Sequence, residues 1–211
     1  MATFSPQDQA RQLFDFATPV ISVTGAGGRR WVRNVARPND PRRGPWLQGE
    51  YEILNPSVWN ERRACVYLVA GSDGKLRYVG ISKNRLKDRW RTSPALDALT
   101  GELLPRKQIF HNACWPQIEL ELGSRPHTWF EVRVAGAETI VRRAESMKGE
   151  LAEVIRAHAG DHTRLIDEIE SWLCGRQAPD LVPWNSAKTK NASELHFHLA
   201  AEWCRPATPP S

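Results

Sequence analysis

A strand–turn–strand pattern near the middle of the chain constrains the fold more than any other feature. A run of β-branched and aromatic residues extends over 65–70, and a second run extends over 76–80. Between the two runs lies the sequence Gly-Ser-Asp-Gly at positions 71–74, which favours a tight turn. Two short runs joined in this way predict a β-hairpin.

The hairpin relates two tyrosines. If positions 71–74 form a four-residue loop, Tyr67 lies opposite Tyr78, and a two-residue loop at Asp73-Gly74 keeps the same parity. Because alternate residues of a strand point to the same side, both phenols are predicted on one face of the sheet. Two such tyrosines are often only core aromatics. Arg89, on the helix predicted after the second strand, is placed to reach the same face, which favours a functional site.

The rest of the chain predicts an α+β fold. Alternation over 128–134 predicts a third strand, giving a small three-stranded antiparallel sheet flanked by helices. Apolar spacing, caps and terminal glycines predict helices over 6–16, 82–92, 140–158, 161–174 (or 163–174) and 193–204. The segment from Thr24 to Glu50 is rich in Gly, Pro and Arg, and is predicted to be an extended arm or loop.

The basic residues are clustered along the chain, which carries a net charge of +5. One cluster contains Arg29, Arg30, Arg33, Arg37, Arg42 and Arg43; the other contains Lys75, Arg77, Lys83, Arg85, Lys87, Arg89 and Arg91. Residues 145–170 are more acidic. This polarity suits one face turned toward a polyanion such as nucleic acid, although two solvated surfaces explain it equally well.

Hydropathy and cysteine spacing predict a cytoplasmic protein. The longest apolar runs are far shorter than a membrane span, and the first residues lack a basic stretch followed by an apolar core. The four cysteines at 65, 114, 174 and 204 form no C-x-x-C pair. This spacing argues against zinc ribbons and disulfide frameworks, and a reducing compartment fits best.

Five segments, in order, resemble the motifs of the GIY-YIG endonuclease family. Cys65-Val66-Tyr67 resembles the GIY element, Tyr78-Val79-Gly80 resembles the YIG element, and 84–89 resembles the segment that bears the arginine. Further on, 170–174 resembles the helix with the family's glutamate, and 182–185 resembles the closing proline and asparagine. The resemblance covers about 64–186, and it is the order of the five segments that makes it specific.

The resemblance divides the chain into three parts and has departures. It implies an N-terminal helix and Arg/Trp-rich arm (1–60), a nuclease domain (61–186) with an insertion at about 94–127, and a C-terminal helix and tail (187–211). Cys65 stands where the family has its first glycine, and one extra residue precedes Arg89. The histidine that many members place after the arginine would fall at Ser93.

The resemblance implies a metal-dependent phosphodiester hydrolase. Glu170 would hold one Mg²⁺ or Mn²⁺ whose other ligands are waters, and Arg89 would bind a phosphate oxygen. Tyr67 and Tyr78 would position or deprotonate the attacking water, with the resemblance favouring Tyr67 as the base. Asn185 would brace the site through its amide.

Other residues complete the expected DNA interface. Phosphate contacts are predicted for Arg29, Arg30, Arg33, Lys83, Arg85, Lys87 and Arg91, on duplex DNA. His111 is the first candidate for a histidine that replaces the missing one, and His127 is the second. A small enzyme of this kind suggests a restriction or mobile-element role. The oligomeric state is left open.

Two alternatives remain at this stage. Without the resemblance, Glu170 and Glu168 are equivalent carboxylates at the two borders of one apolar helix face, and Arg89 is a surface arginine. The departures at Cys65 and Ser93 favour a catalytically inactive nucleic-acid-binding module on the same scaffold. The abundant tryptophans would also suit a protein-interaction domain.

Overall fold

The computed structural model describes residues 4–30, 46–90, 114–175 and 181–185. These ranges contain seven α-helices, five strands and one short 3₁₀ turn, Pro183–Asn185. The elements in chain order are α1 (Pro6–Phe16), β1 (Thr18–Arg30), β2 (Trp46–Ile53), α2 (Pro56–Asn60), β3 (Cys65–Gly71), β4 (Leu76–Ser82), α3 (Leu86–Trp90), α4 (Cys114–Ser124), β5 (Phe130–Gly136), α5 (Ala137–Arg143), α6 (Glu150–His158) and α7 (His162–Cys174).

The strands form one antiparallel sheet in the order β2-β1-β5-β3-β4. The α+β class is right, but the prediction of a three-stranded sheet is wrong, because β1 and β2 come from the segment expected to be largely an arm. Strand β1 pairs with β5 through partners such as Ile21 and Val132, which are far apart in the chain. Register shifts between β1 and β2 bracket the glycine-containing stretches of β1, and glycine accommodates such bulges in a strand. The local composition therefore did not predict these strands, because the pairing of β1 with β5 joins residues far apart in the chain.

Both faces of the sheet are covered, so β3 is buried along its whole length. One face packs against α1, α5, α6 and α7, with Leu13, Ile140, Leu151 and Ile166 in that core. The other face packs against α2, α3 and α4, and its core is rich in aromatic rings: Trp59, Tyr67, Trp90, Trp115 and Phe130. Strand β4 is an edge strand of the sheet.

The predicted helix from Ile140 to His158 is two helices. Helix α5 ends at Arg143 and α6 begins at Glu150, after Gly149 with a φ of +95°. A Cβ at Gly149 would lie 2.4 Å from the side chain of Gln9, so the break lets α1 approach. The apolar spacing did not reveal the break because Ala144 and Met147, between the two helices, are buried as well.

Two other helical predictions agree with the structure, and the start of a third is wrong. Helix α1 has the predicted bounds, and Asp161 caps α7 by accepting the N–H groups of Thr163 and Arg164. Ser82, the predicted cap of the next helix, instead ends β4, and α3 begins only at Leu86. The helix predicted over 193–204 lies outside the described residues. Among the described helices, none combines the length and the hydropathy needed to cross a bilayer.

Candidate functional site at the edge strand

Tyr67 and Tyr78 lie on the same face of the sheet, as predicted, but they are not directly opposite. Tyr67 pairs with Gly80, and Tyr78 pairs with Val69. The register is shifted because Ala70 pairs with Leu76, which leaves Arg77 as an extra residue in a bulge. The phenols are therefore diagonal neighbours whose ring centroids are 5.9 Å apart with 28° between the ring planes.

Gly80 provides the space in which the two rings lie. A Cβ at this position would be 2.4 Å from the Tyr67 hydroxyl oxygen and 2.8 Å from a ring carbon of Tyr78. Both distances are far below van der Waals contact, and the tyrosine at position 67 is wholly buried. The glycine of the Tyr-Val-Gly segment is thus required by the packing of the phenols across the hairpin.

Tyr67 is a buried phenol beside a cation. Its hydroxyl makes no hydrogen bond of good geometry within the described residues, although the hydroxyl of Tyr78 and the guanidinium of Arg89 lie near it. Burial raises the pKa of Tyr67 far above its usual value, while the positive charge of Arg89 opposes the rise. In the free protein Tyr67 is therefore a neutral phenol at physiological pH.

Tyr78 is the more accessible of the two phenols. It is only partly buried, and it packs against the aromatic core from the edge strand. Burial raises the pKa of Tyr78 well above its usual value, and the negative charges of an ionised Tyr67 and of Glu170 act in the same direction. Tyr78 can therefore meet solvent, whereas Tyr67 cannot.

Arg89 and Glu170 reach this edge from opposite faces of the sheet. Arg89 lies on α3, which packs on the aromatic core, and its side chain remains exposed. Glu170 lies on α7, which packs on the other core, and it is half-buried beside β4. Burial raises the pKa of Glu170, and the nearby guanidinium of Arg89 lowers it. The arginine, the carboxylate and both phenols therefore interact at one edge.

The structure distinguishes Glu170 from Glu168. Glu168 is at the other border of the helix face, 3.6 Å from Arg164, and its side chain is 41% exposed. Glu170, in contrast, is among the groups that raise the pKa of Tyr78 and of Arg89. Helical periodicity alone left this choice open.

Asn185 braces the edge strand. Its side-chain nitrogen donates to the Val79 carbonyl at 2.8 Å, and its side-chain oxygen accepts the Val79 N–H at 2.9 Å. These two bonds satisfy the backbone groups that an edge strand leaves unpaired. Because Val79 stands between Tyr78 and Gly80, Asn185 holds the backbone of the site from outside the sheet.

Glu170 is the residue best placed to hold a divalent cation. The described residues contain no group of three or more His, Cys, Asp or Glu side chains arranged around one point. Mg²⁺ nevertheless often binds proteins through one or two carboxylates, with waters and substrate phosphates as its other ligands. A half-buried carboxylate beside an arginine, a residue type that can bind phosphate, therefore fits a magnesium or manganese ion.

Cys114 is a residue of this site that the sequence did not indicate. It begins α4, is wholly buried, and its charge would raise the pKa of both phenols. Burial raises the pKa of this thiol well above its usual value, and Arg89 lowers it. No spacing or motif marks a lone cysteine of this kind, so only its position in space identifies it.

The predicted DNA contacts are only partly within the described residues. Lys83, Arg85 and Arg89 are exposed near the site, with Lys83 paired to Asp167 at 2.9 Å. The Lys87 ammonium is 2.9 Å from the Asn60 side-chain oxygen. The backbones of Arg29 and Arg30 end β1, whereas Arg33, Arg91 and His111 lie outside the described residues.

Arg77 and His127 were also singled out from the sequence, and the structure describes both. Arg77, counted in the basic cluster, is buried and bonds to Glu121 and Asp73 at 2.8 and 2.9 Å, so its charge is neutralised internally. His127 is exposed in the turn before β5, with a φ of 80°. No family model, curated protein or solved structure matches this chain.

Proposed function

We propose that this protein is a divalent-metal-dependent DNA endonuclease of the GIY-YIG type, which hydrolyses phosphodiester bonds of duplex DNA. The observation that carries this proposal is the convergence of Tyr67, Tyr78, Arg89 and Glu170 at one edge strand. These residues come from four different elements. Side chains distant in the chain that meet with shifted pKa values are typical of functional sites.

Arg89 is the anion-binding group in this proposal. Its guanidinium is exposed and faces two phenols and one carboxylate. A planar guanidinium donates two parallel hydrogen bonds to a phosphate group and stabilises the negative charge that develops during hydrolysis. A phosphate bound there lies next to Tyr78, which is partly buried.

The burial of the phenols divides their roles. An attacking water cannot touch Tyr67, which is wholly buried, so the proposal gives the contact with water to Tyr78. Tyr67 then acts as a positioning residue that fixes the ring of Tyr78 by stacking. A phenol is a poor base at neutral pH, and additional positive charge at the site is needed before Tyr78 accepts a proton.

Glu170 would hold the metal ion, since it is a partly desolvated carboxylate that interacts electrostatically with Arg89 and Tyr78. When bound, Mg²⁺ or Mn²⁺ supplies Lewis-acid stabilisation of phosphoryl charge and lowers the pKa of its water ligands. Glu170 also orients Arg89 through their opposite charges, while Asn185 keeps β4 in place.

Cleavage of supercoiled and linear DNA in Mg²⁺, Mn²⁺ or EDTA tests the proposal. The Glu170→Gln variant is expected to cleave roughly 10²–10³-fold more slowly, as for other losses of transition-state stabilisation, with DNA affinity largely unchanged. Glu168→Gln is the matched control on the same helix and should cleave normally. If Glu168→Gln is the inactive variant, the assignment of the glutamate is wrong by two positions.

The complete burial of Tyr67 also suits a second candidate, a nucleic-acid-binding module without catalysis. In that case DNA binds with a strong dependence on salt, but no metal produces cleavage. A protein that neither binds DNA in a salt-dependent manner nor cuts it contradicts both candidates.

A further inference from the structure

A second recess lies on the loop side of the edge strand. It is a cavity of about 930 Å³ between the start of α1, the β3–β4 turn, one face of α4 and residues 181–184. Residues Gln117, Leu120, Glu121 and Ser124 line it from α4 with helical spacing, and Arg125 lines it just after the helix. Small-molecule sites commonly occupy about 300–1,000 Å³, so this cavity is large enough for a ligand of nucleotide size.

Gln117 points to a polar ligand. It is 8% exposed and lines the cavity, yet its side-chain amide makes no hydrogen bond with any part of the chain that the structure describes. The amide is not one of the fully enclosed, unsatisfied polar groups of the described residues, so its donor and acceptor are open to the cavity. The free donor and acceptor of this amide match the edge of a nucleobase.

Apolar side chains line the same cavity. They are Leu76, Leu120, Leu181, Pro183 and Trp184. Trp184 packs on Phe130 with ring centroids 5.3 Å apart, so the indole is held in place. A fixed indole can stack on any base, since every base has a π-face.

Basic side chains lie at the rim of the cavity. Its acids Asp73 and Glu121 are bound by Arg77, and the Asp8 carboxylate accepts hydrogen bonds from Ser5 in the cap of α1. Lys75, in contrast, forms no ion pair with a described residue and is exposed on the turn. Arg11, which forms an exposed ion pair with Asp15, is 4.0 Å from where a Cβ of Gly74 would be. An anionic group fits beside Lys75, where Arg11 contributes a second cation.

We propose that this cavity binds a nucleotide, with the base against Trp184 and Gln117 and the phosphate at Lys75 and Arg11. Such a nucleotide is either free in solution or an unpaired nucleotide of a bound strand, and the chemistry of recognition is the same. Binding does not depend on phosphodiester cleavage. The cavity is nevertheless adjacent to the edge-strand site, because Trp184 precedes Asn185, which is bonded to Val79.

Calorimetric titration in EDTA with each of the four deoxynucleoside monophosphates tests whether the cavity binds a free nucleotide. Duplexes with and without one unpaired 2-aminopurine, followed by fluorescence, test whether it binds an unpaired nucleotide of a strand. Gln117→Leu should weaken binding about fivefold through the loss of one neutral hydrogen bond. Lys75→Gln should weaken it by a similar factor at low salt and less at high salt. Lys148→Gln, an exposed change away from the cavity, is the control, and thermal melting verifies that each variant folds.

The possible results distinguish a free nucleotide from a nucleotide of the strand. Saturable binding of a monophosphate that both variants weaken supports a free ligand. Preference for the unpaired duplex that both variants remove supports a nucleotide of the strand. Absence of both, or binding that neither variant alters, overturns the proposal. The Glu170→Gln variant should bind nucleotide normally even though it cleaves DNA slowly. Loss of nucleotide binding and loss of cleavage can therefore be distinguished.

Discussion

Gly80→Ala is the sharpest test of how the hairpin builds the site. The new Cβ would lie 2.4 Å and 2.5 Å from two atoms of the Tyr67 phenol and 2.8 Å from a ring carbon of Tyr78. Ordinary contact needs about 3.5–4.0 Å, so the phenols must move by roughly 1 Å. Tyr67 is wholly buried, which leaves no solvent into which it can shift.

We expect Gly80→Ala to lower the free energy of unfolding by about 1–3 kcal/mol, the usual cost of overpacking a core. For a chain of this size that corresponds to a fall in melting temperature of roughly 2–4 °C per kcal/mol. Urea unfolding followed by tryptophan fluorescence measures the change. The rate of the proposed DNA cleavage should fall by a larger factor than the loss of folded protein explains, because the substitution displaces both phenols.

Gly123→Ala is the matched control. This glycine is in helix α4 with nothing within 4 Å of an added Cβ, so alanine should stabilise the protein by about 0.5–1 kcal/mol. If Gly80→Ala unfolds at the same urea concentration as the wild type and cleaves normally, the phenols do not depend on this contact and the reasoning is refuted.

Three further predictions follow from the structure. Arg77→Met should lower the free energy of unfolding by about 1.5–3 kcal/mol, because the partly buried carboxylate of Glu121 and the exposed carboxylate of Asp73 lose the guanidinium that binds them. Arg11→Met, in an exposed ion pair, should cost less than about 1 kcal/mol; equal urea midpoints would contradict this. Asn185→Ala should destabilise the protein by about 1–3 kcal/mol and speed hydrogen exchange of the Val79 amide, which NMR detects; unchanged exchange would show that the brace is dispensable. Burial raises the pKa of Cys65 from 9.0 to about 11, so the stability that its neutral thiol contributes is complete below pH 9 and is lost as the pH rises through 11. Urea unfolding across this range should show a smaller loss in Cys65→Ala, and identical pH profiles would count against the burial of this thiol.

The local elements of the fold were determined by the sequence. The Gly-Ser-Asp-Gly turn between two β-branched runs predicted β3 and β4, and strand parity put Tyr67 and Tyr78 on one face. Asp161 marked the start of α7, because a carboxylate at an N-cap accepts backbone N–H groups only a few residues ahead. Signals of this kind act within one turn or one hairpin, so they can be read without knowledge of the fold.

Tertiary structure alone decided what the site can do. The pairing of β1 with β5 and the bonds from Asn185 to Val79 join residues about a hundred positions apart, and no local pattern specifies such contacts. The bulge at Arg77 shifted the register by which Tyr67 meets Gly80. Tyr67 is wholly buried and Tyr78 is partly exposed only because α3, α4 and α7 cover the two faces of the sheet. This burial raises the pKa values of the two phenols and underlies the roles proposed for them. Desolvation depends on every neighbour at once, and that is a property of the packed chain and not of any segment.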